Sequence, residues 1–251
     1  MAKPSSSATL DTGHALYANL HACWPLLEGS GTTSADKKGS RTLTLSGSGL
    51  WSTDGDGPVI LTTNNSDTFP LSLATSWDNT VNGHKFSLAW RAKQTTSNDA
   101  GMLAGNPNNT HDYLWLRGGT GMLLRINDGA VGTFSPTDFT ALDDWVLTGE
   151  LEPAVTYHYH LYKNGAEVAS SPIDNGGVGL GWTIAALGNG FSGAGTSFVG
   201  TISYVYLWDD RVLTQSEAST LHSDPYALFA SAGSVPAPYQ PWYALAPMLA
   251  Q

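Results

Sequence analysis

Residues 198–229 read FVGTISYVYLWDDRVLTQSEASTLHSDPYALF, and their pattern decides the fold. Phe198, Gly200, Ile202, Tyr204, Tyr206 and Trp208 alternate with Val199, Thr201, Ser203, Val205 and Leu207. Period-two patterning with apolar residues on both faces predicts a strand packed between two layers. Thr214-Gln-Ser-Glu217 then spells a capping box, in which the Thr hydroxyl and the Glu carboxylate each accept from a free backbone N–H. Asp224-Pro225 closes the short helix, because a residue before proline is pushed out of the α region. Tyr226, Leu228 and Phe229 follow as an apolar anchor.

Working outward, the clearest hairpin is Tyr157-His-Tyr-His-Leu-Tyr-Lys163, then Asn164-Gly165, then Ala166-Glu-Val-Ala169. Asn-Gly favours a type I′ turn, whose central residues both need positive φ. A two-residue turn pairs Lys163 with Ala166 and hence Leu161 with Val168. Tyr157, Tyr159, Leu161 and Val168 are then expected to share the core-facing side. Further strands are marked by Phe86–Ala92, Tyr113–Arg117, Met122–Ile126 and Trp145–Thr148.

The composition suits one large all-β domain as well as two small ones. The 28 glycines and 13 prolines supply turns, and nine tryptophans supply core area, in a chain only 13% charged. A formal net charge of −10 argues against nucleic acid or an anionic membrane as partner, since both call for Lys/Arg excess. Cys23 is the single cysteine, so no intrachain disulfide forms, and its neighbours Ala22 and Trp24 mark it as a buried apolar residue. The opening MAKPSSSATLDTG has no apolar run of roughly 7–15 residues, so no signal peptide is expected. No roughly 18-residue apolar stretch is present to span a membrane. Three segments emerge: a polar arm over 1–13, the patterned domain over 14–229, and a Pro/aromatic arm over 230–251 that favours extended structure.

The order of these signals resembles laminin-G-like domains of the concanavalin A lectin-glucanase class. Phe198-Val-Gly-Thr-Ile202, Arg211-Val-Leu213 and the short helix are similar to that family's closing strand, Arg-Ala-Leu and helix. Trp145 with Leu161-Tyr-Lys-Asn-Gly165, Phe86-Ser-Leu-Ala-Trp90, and Cys23-Trp-Pro-Leu-Leu-Glu-Gly-Ser-Gly31 followed by Asp36 extend the likeness over residues 17–229. The resemblance implies a jelly-roll sandwich of two antiparallel sheets, one short C-terminal helix, and extended N- and C-terminal arms.

The ending Asp224-Pro-Tyr-Ala-Leu-Phe229 looks most like versions found in bacteriophage structural proteins. The implied function is a non-enzymatic virion protein, made in the host cytoplasm, that decorates the capsid exterior. Its arm would bind capsid or another virion protein through Tyr239, Trp242 and Tyr243, and a homo-oligomer such as a trimer would fit that role. The alternative is a carbohydrate-binding module, as in a tail fibre or baseplate.

Candidate chemistry is sparse. Retaining glycosidases need two carboxyls about 5–5.5 Å apart. Only Glu150-Leu-Glu152 has the spacing, and Pro153 breaks the strand beside it, so no catalysis is expected. The family often holds calcium with an Asp after the Ile of the closing strand; here Ser203 and Tyr204 stand in the two acidic positions, so no cofactor is expected. Asp54-Gly-Asp-Gly57 reads as a glycine-rich turn. His158 and His160 share one face of a strand without a third ligand for zinc. Gly188-Asn-Gly-Phe-Ser-Gly193 matches a dinucleotide fingerprint but lacks the helix that must follow it. For sugar binding, an aromatic platform beside amide and carboxylate groups is wanted. Trp77-Asp78-Asn79 and the run Asn106–Tyr113, with Asn108 and Asn109, carry those types in expected loops.

Overall fold

The computed structural model describes residues 2–45, 50–63, 71–78, 85–95, 101–105, 113–117, 121–126, 130–134, 138–151, 156–174, 183–188 and 198–230. In chain order the strands begin β1 (Leu20–Trp24), β2 (Thr33–Ser34), β3 (Leu43–Leu45), β4 (Leu50–Thr53), β5 (Pro58–Thr62) and β6 (Leu71–Asp78). Then come β7 (Lys85–Gln94), β8 (Gly101–Gly105), β9 (Tyr113–Arg117), β10 (Gly121–Ile126) and β11 (Ala130–Phe134). Last are β12 (Asp143–Leu151), β13 (Thr156–Lys163), β14 (Ala166–Asp174), β15 (Thr183–Leu187), β16 (Gly200–Asp209) and the helix α1 (Gln215–Ser223).

They form two eight-stranded antiparallel sheets. The first runs β14-β13-β12-β7-β16-β5-β4 with β1 also on β16, and the second runs β11-β10-β9-β8-β15-β6-β3-β2. Between the sheets lies an apolar core that includes Trp24, Phe86, Trp90, Trp145, Leu147, Leu161, Ile202, Val205 and Leu207. A second cluster covers the outer face of the first sheet, where Leu16, Leu213, Leu221, Leu228 and Phe229 pack on Tyr204, Tyr206 and Trp208. The closing strand is thus buried on both sides, as its two-faced apolar pattern requires.

Its alternation breaks once. A β-bulge between Ile202 and Tyr204 changes the register against β7. A bulge adds one residue and flips the side-chain order beyond it. Ile202 therefore faces the inner core together with Val205 and Leu207, whereas Tyr204, Tyr206 and Trp208 face outward under the helix. At the strand's start, a β-carbon on Gly200 would lie 2.0 Å from the Lys93 carbonyl oxygen, which explains the glycine of the Phe-x-Gly-x-Ile pattern.

The Asn-Gly hairpin forms as expected, with φ of 51° at Asn164 and 78° at Gly165, and Lys163 opposite Ala166. One expectation is corrected. A register shift between Leu161 and Tyr162 places Leu161 opposite Ala169, so Ala169 packs on the core and Val168 is 47% exposed. Tyr159 and Leu161 are buried; the side chain of Tyr157 lies outside the described residues.

Helix α1 begins at the predicted box: the Thr214 hydroxyl accepts from the Glu217 N–H, and the Glu217 carboxylate accepts from the Thr214 N–H at 2.8 Å. It ends at Asp224. Ser219 donates to the Gly165 carbonyl at 3.0 Å, which docks the helix on the hairpin turn. Arg211 ties the helix to the 3-10 turn Ala15–Tyr17, donating to the Ala15 and Ala18 carbonyls while pairing with Glu217.

The segment preceding β1 is laid along the domain. Leu10 bridges Phe229, Asp11 N–H donates to the Leu228 carbonyl, and Lys3 N–H donates to the Asp56 carbonyl. The polar arm read over residues 1–13 is thus hydrogen-bonded to the domain at Lys3, Thr9 and Asp11. Cys23 is fully buried and unpaired, and burial holds its thiol well above its ordinary pKa.

Candidate functional site

Two regions carry the polar side chains that could act. The first is a seam on the first sheet. Strand β5 pairs with β16 at Gly200–Ile202, and β1 pairs with the same strand from Val205 to Trp208. Ser203, in the bulge, falls between the two pairings. Its carbonyl accepts from Lys3 Nζ at 2.6 Å. The same ammonium donates to Pro25 at 3.1 Å and Leu26 at 3.3 Å, just past the end of β1, and to Pro58 at the start of β5. Leu26 holds φ of 53°, a left-handed conformation that costs a leucine about 1–3 kcal/mol unless its surroundings enforce it. The lysine stem lies over Gly57, where a β-carbon would touch its methylenes at 3.4 Å. Burial pushes the Lys3 pKa down to about 8, against the pull of Asp54 and, more weakly, Asp56 and Glu28.

The carboxylates around the seam are largely committed. Asp54 Oδ1 accepts from the Asp56 and Gly57 N–H groups, which makes Asp54–Gly57 the turn its sequence suggests. Glu28 accepts from Ser34 and the Ala35 N–H, and Asp36 from the Cys23 and Lys38 N–H groups. Asp56 pairs with Arg91 at 2.5 Å. Asp144 accepts from the Tyr204 hydroxyl at 3.0 Å, lies 2.9 Å from His222 Nδ1, and stands 3.8 Å from Arg91 Nε. Burial works against the Arg91 charge, but Asp144 and Asp56 outweigh it and raise its pKa. Burial, with Asp144 beside it, raises the Tyr204 pKa well above normal.

The calcium implied by the family resemblance does not fit here. A hard dication wants several oxygens including carboxylates. The last strand offers Ser203 instead of Asp, and the oxygens that converge nearby are backbone carbonyls already accepting from a cation. Among the described residues, no three His, Cys, Asp or Glu side chains come together as a metal site. His160 is instead 3.2 Å from Glu167 and stacks on Tyr162. Glu150 pairs with Lys85 across β12 and β7, and Glu152 lies outside the described residues.

The second region is the end of the other sheet. Strand β15 is antiparallel to both β6 and β8, so those two run parallel on either side of it. Trp77 stands opposite Ile184 and Asp78 opposite Thr183, while Gly105 stands opposite Ala186. The chain therefore leaves β6 at Asp78 and β8 at Gly105 in the same direction, two strand spacings apart across β15 and offset by the step from Thr183 to Ala186 along it, about 14 Å in all. Asn79 follows the first exit and Asn106–Asp112, with Asn108 and Asn109, the second. These residues, and the side chains of Trp77 and Asp78, lie outside the described residues, as do Tyr239, Trp242 and Tyr243. Topology puts the strand ends that precede these two candidate segments at the same end of the sheet, a relation the sequence does not show. Lys3, Arg91, Asp144 and His222 were not singled out by the sequence; their partners are distant, and only the family's closing-strand position pointed to the seam.

No family model matches the chain, and no curated protein matches it. Solved structures do. The binding domain of Paraclostridial Mosquitocidal Protein 1 is similar over 84% of this chain and 53% of its own, at 17% identity and a TM-score of 0.55. A Trypanosoma rangeli sialidase in complex with 2,3-difluorosialic acid is similar over 91% of this chain and 37% of its own, at 15% identity and 0.55. Domain 4 of AbnA, an extracellular arabinanase from Geobacillus stearothermophilus in complex with arabinotriose, is similar over 81% of this chain and 98% of its own, at 15% identity and 0.51. The chain shares the antiparallel β-sandwich fold of these structures. It spans about half the length of the first of these structures (53%) and about a third of the second (37%). None of the three is a phage protein by its description, so the likeness to virion proteins gains nothing from them.

Proposed function

We propose that this chain is a non-enzymatic binding module whose ligand is carbohydrate, taken at the end of the second sheet where β6 and β8 exit. The observation that carries the reading is this convergence. Support comes from the β6 exit, which follows Trp77 and Asp78, and the β8 exit, which precedes Asn108 and Asn109, leaving the same end of the sheet on a fold shared with an arabinotriose-bound domain. An aromatic face stacks on the C–H side of a sugar ring while carboxylate and amide groups take its hydroxyls. Capsid decoration is the weaker reading. It relies on terminal arms; the N-terminal one is tied to the domain through Lys3, Thr9, Leu10 and Asp11, and Tyr239, Trp242 and Tyr243 lie outside the described residues. A virion location and a trimer belong with that reading, and the binding module needs neither.

The test is a glycan array with the full chain, including arabino-oligosaccharides and sialosides, followed by titration calorimetry on any hit. Trp77→Ala and the double variant Asn108→Ala/Asn109→Ala should each weaken binding at least about tenfold, the loss of roughly one good contact. If the wild-type chain binds no glycan at millimolar concentration, the proposal fails. Unaltered affinity in the asparagine variant, with its circular dichroism native, would move the site elsewhere.

A further inference from the structure

The seam between β1 and β5 has a chemistry of its own. Two strands share the same edge of β16, both antiparallel to it, and beside Ser203 the first (β1) ends and the second (β5) begins. Where a ladder is interrupted inside a fold, the backbone oxygens it frees must find donors or cost free energy. Here the carbonyls of Pro25, Leu26, Pro58 and Ser203 all turn to one point, and Leu26 takes a left-handed backbone conformation there. The Lys3 ammonium fills that point, brought from more than twenty residues away in sequence.

We propose that this seam is a cation site, filled by the chain's own Lys3, and that without the Lys3 side chain it takes a small alkylammonium ion. The charge balance selects the ion. Four neutral carbonyls suit a single positive charge with several N–H donors, and an ammonium supplies three. A divalent ion finds few carboxylate ligands here: Glu28 accepts from its own loop through both oxygens, Asp56 pairs with Arg91, and Asp54, whose Oδ1 accepts from its own turn, has only Oδ2 to offer. The Lys3 pKa of about 8 keeps the group charged at neutral pH despite its burial. Lys3 thereby does by a covalent tether what a bound ion would do, closing the sheet at its one interrupted edge on β16. The segment 2–13 is then a clasp, and the domain's stability does not depend on a metal supply.

The test uses the full chain and its thermal unfolding midpoint. The wild-type midpoint should be unmoved by EDTA or by millimolar calcium. Lys3→Ala should lower it by at least about 4 °C, which for a chain of this size corresponds to losing a strong hydrogen bond or more. Ethylammonium should restore a saturable part of that loss, and tetramethylammonium, which has no N–H to donate, should not. A wild-type midpoint that falls in EDTA, a Lys3→Ala midpoint equal to wild type, or equal effects of the two organic cations would each overturn the proposal. Should Lys3→Ala not fold, reductive methylation of the wild-type protein decides: Lys3 should react at least about tenfold more slowly than Lys85, whose side chain is 41% exposed. Equal rates would sink the cage.

Discussion

The two faces of β16 are both buried, yet they are built differently. The inner face presents Ile202, Val205 and Leu207 to an apolar core in which neighbours need only fit. The outer face presents Tyr204, Tyr206 and Trp208, of which Tyr204 and Trp208 also spend a polar atom on a specific partner. Trp208 donates to the Leu16 carbonyl at 2.7 Å and Tyr204 to Asp144, while Lys3 closes the seam next to Ser203. One face is held by area and the other by specific partners. The lesson is that the sandwich proper is secured inside, and the outer face fixes how the N-terminal segment, the helix and the residues after it dress the sheet.

The largest effect is expected inside. Leu207→Ala removes a fully buried side chain from the inner core and leaves a cavity, which should cost about 2–5 kcal/mol in chemical denaturation. Outside, Tyr204→Phe keeps the ring, which stacks on Tyr206 at 4.6 Å between centroids, and deletes only the hydroxyl. Asp144 then loses one of its partners but keeps His222 and the nearby Arg91. The expected cost is about 1.5–3 kcal/mol, the range for a hydrogen bond to a charged group, toward the lower end because the carboxylate stays partnered. A Tyr204→Phe cost equal to or above that of Leu207→Ala would break the distinction between the two faces.

The same contrast sorts what could be read in advance. Apolar alternation, the Asn164-Gly165 turn and the Thr214–Glu217 box are local signals with local causes, and the sandwich with its single helix follows from them. The bulges at Ser203 and beside Leu161 are not local in that sense. Both strands carry residues that suit either face, so nothing in their order fixes where one residue is inserted. That is why Ala169, and not Val168, meets the core. Lys3 was hidden for another reason. Its partners are main-chain oxygens, which every residue carries, so no pattern of side-chain types marks them. The pairing of the Asp78 and Gly105 exits likewise depends on β15 lying between β6 and β8, a fact of sheet order that only the register shows.

The smallest effect is expected at the helix start, where the outer dressing begins. Thr214→Ala removes the hydroxyl that accepts from Glu217 N–H and should cost about 1 kcal/mol near neutral pH. Glu217 adds a pH dependence. Burial alone would raise its pKa, but the Thr214 N–H and hydroxyl, followed by Arg211, outweigh burial and hold it below its ordinary value of 4.5. The unfolded chain therefore binds its proton first as pH falls. The stability from the charged carboxylate is fully present above about pH 5 and is lost as pH drops through the lower, folded-state value. Glu217→Gln keeps a side chain that can still close the box but has no charge to lose. Wild type should be the more stable of the two at pH 7, and their unfolding free energies should converge as pH falls below about 5 and through the lowered folded-state value. Parallel curves across that range would mean that the cap works through hydrogen-bond geometry alone, and that the Arg211 pair contributes nothing beyond it.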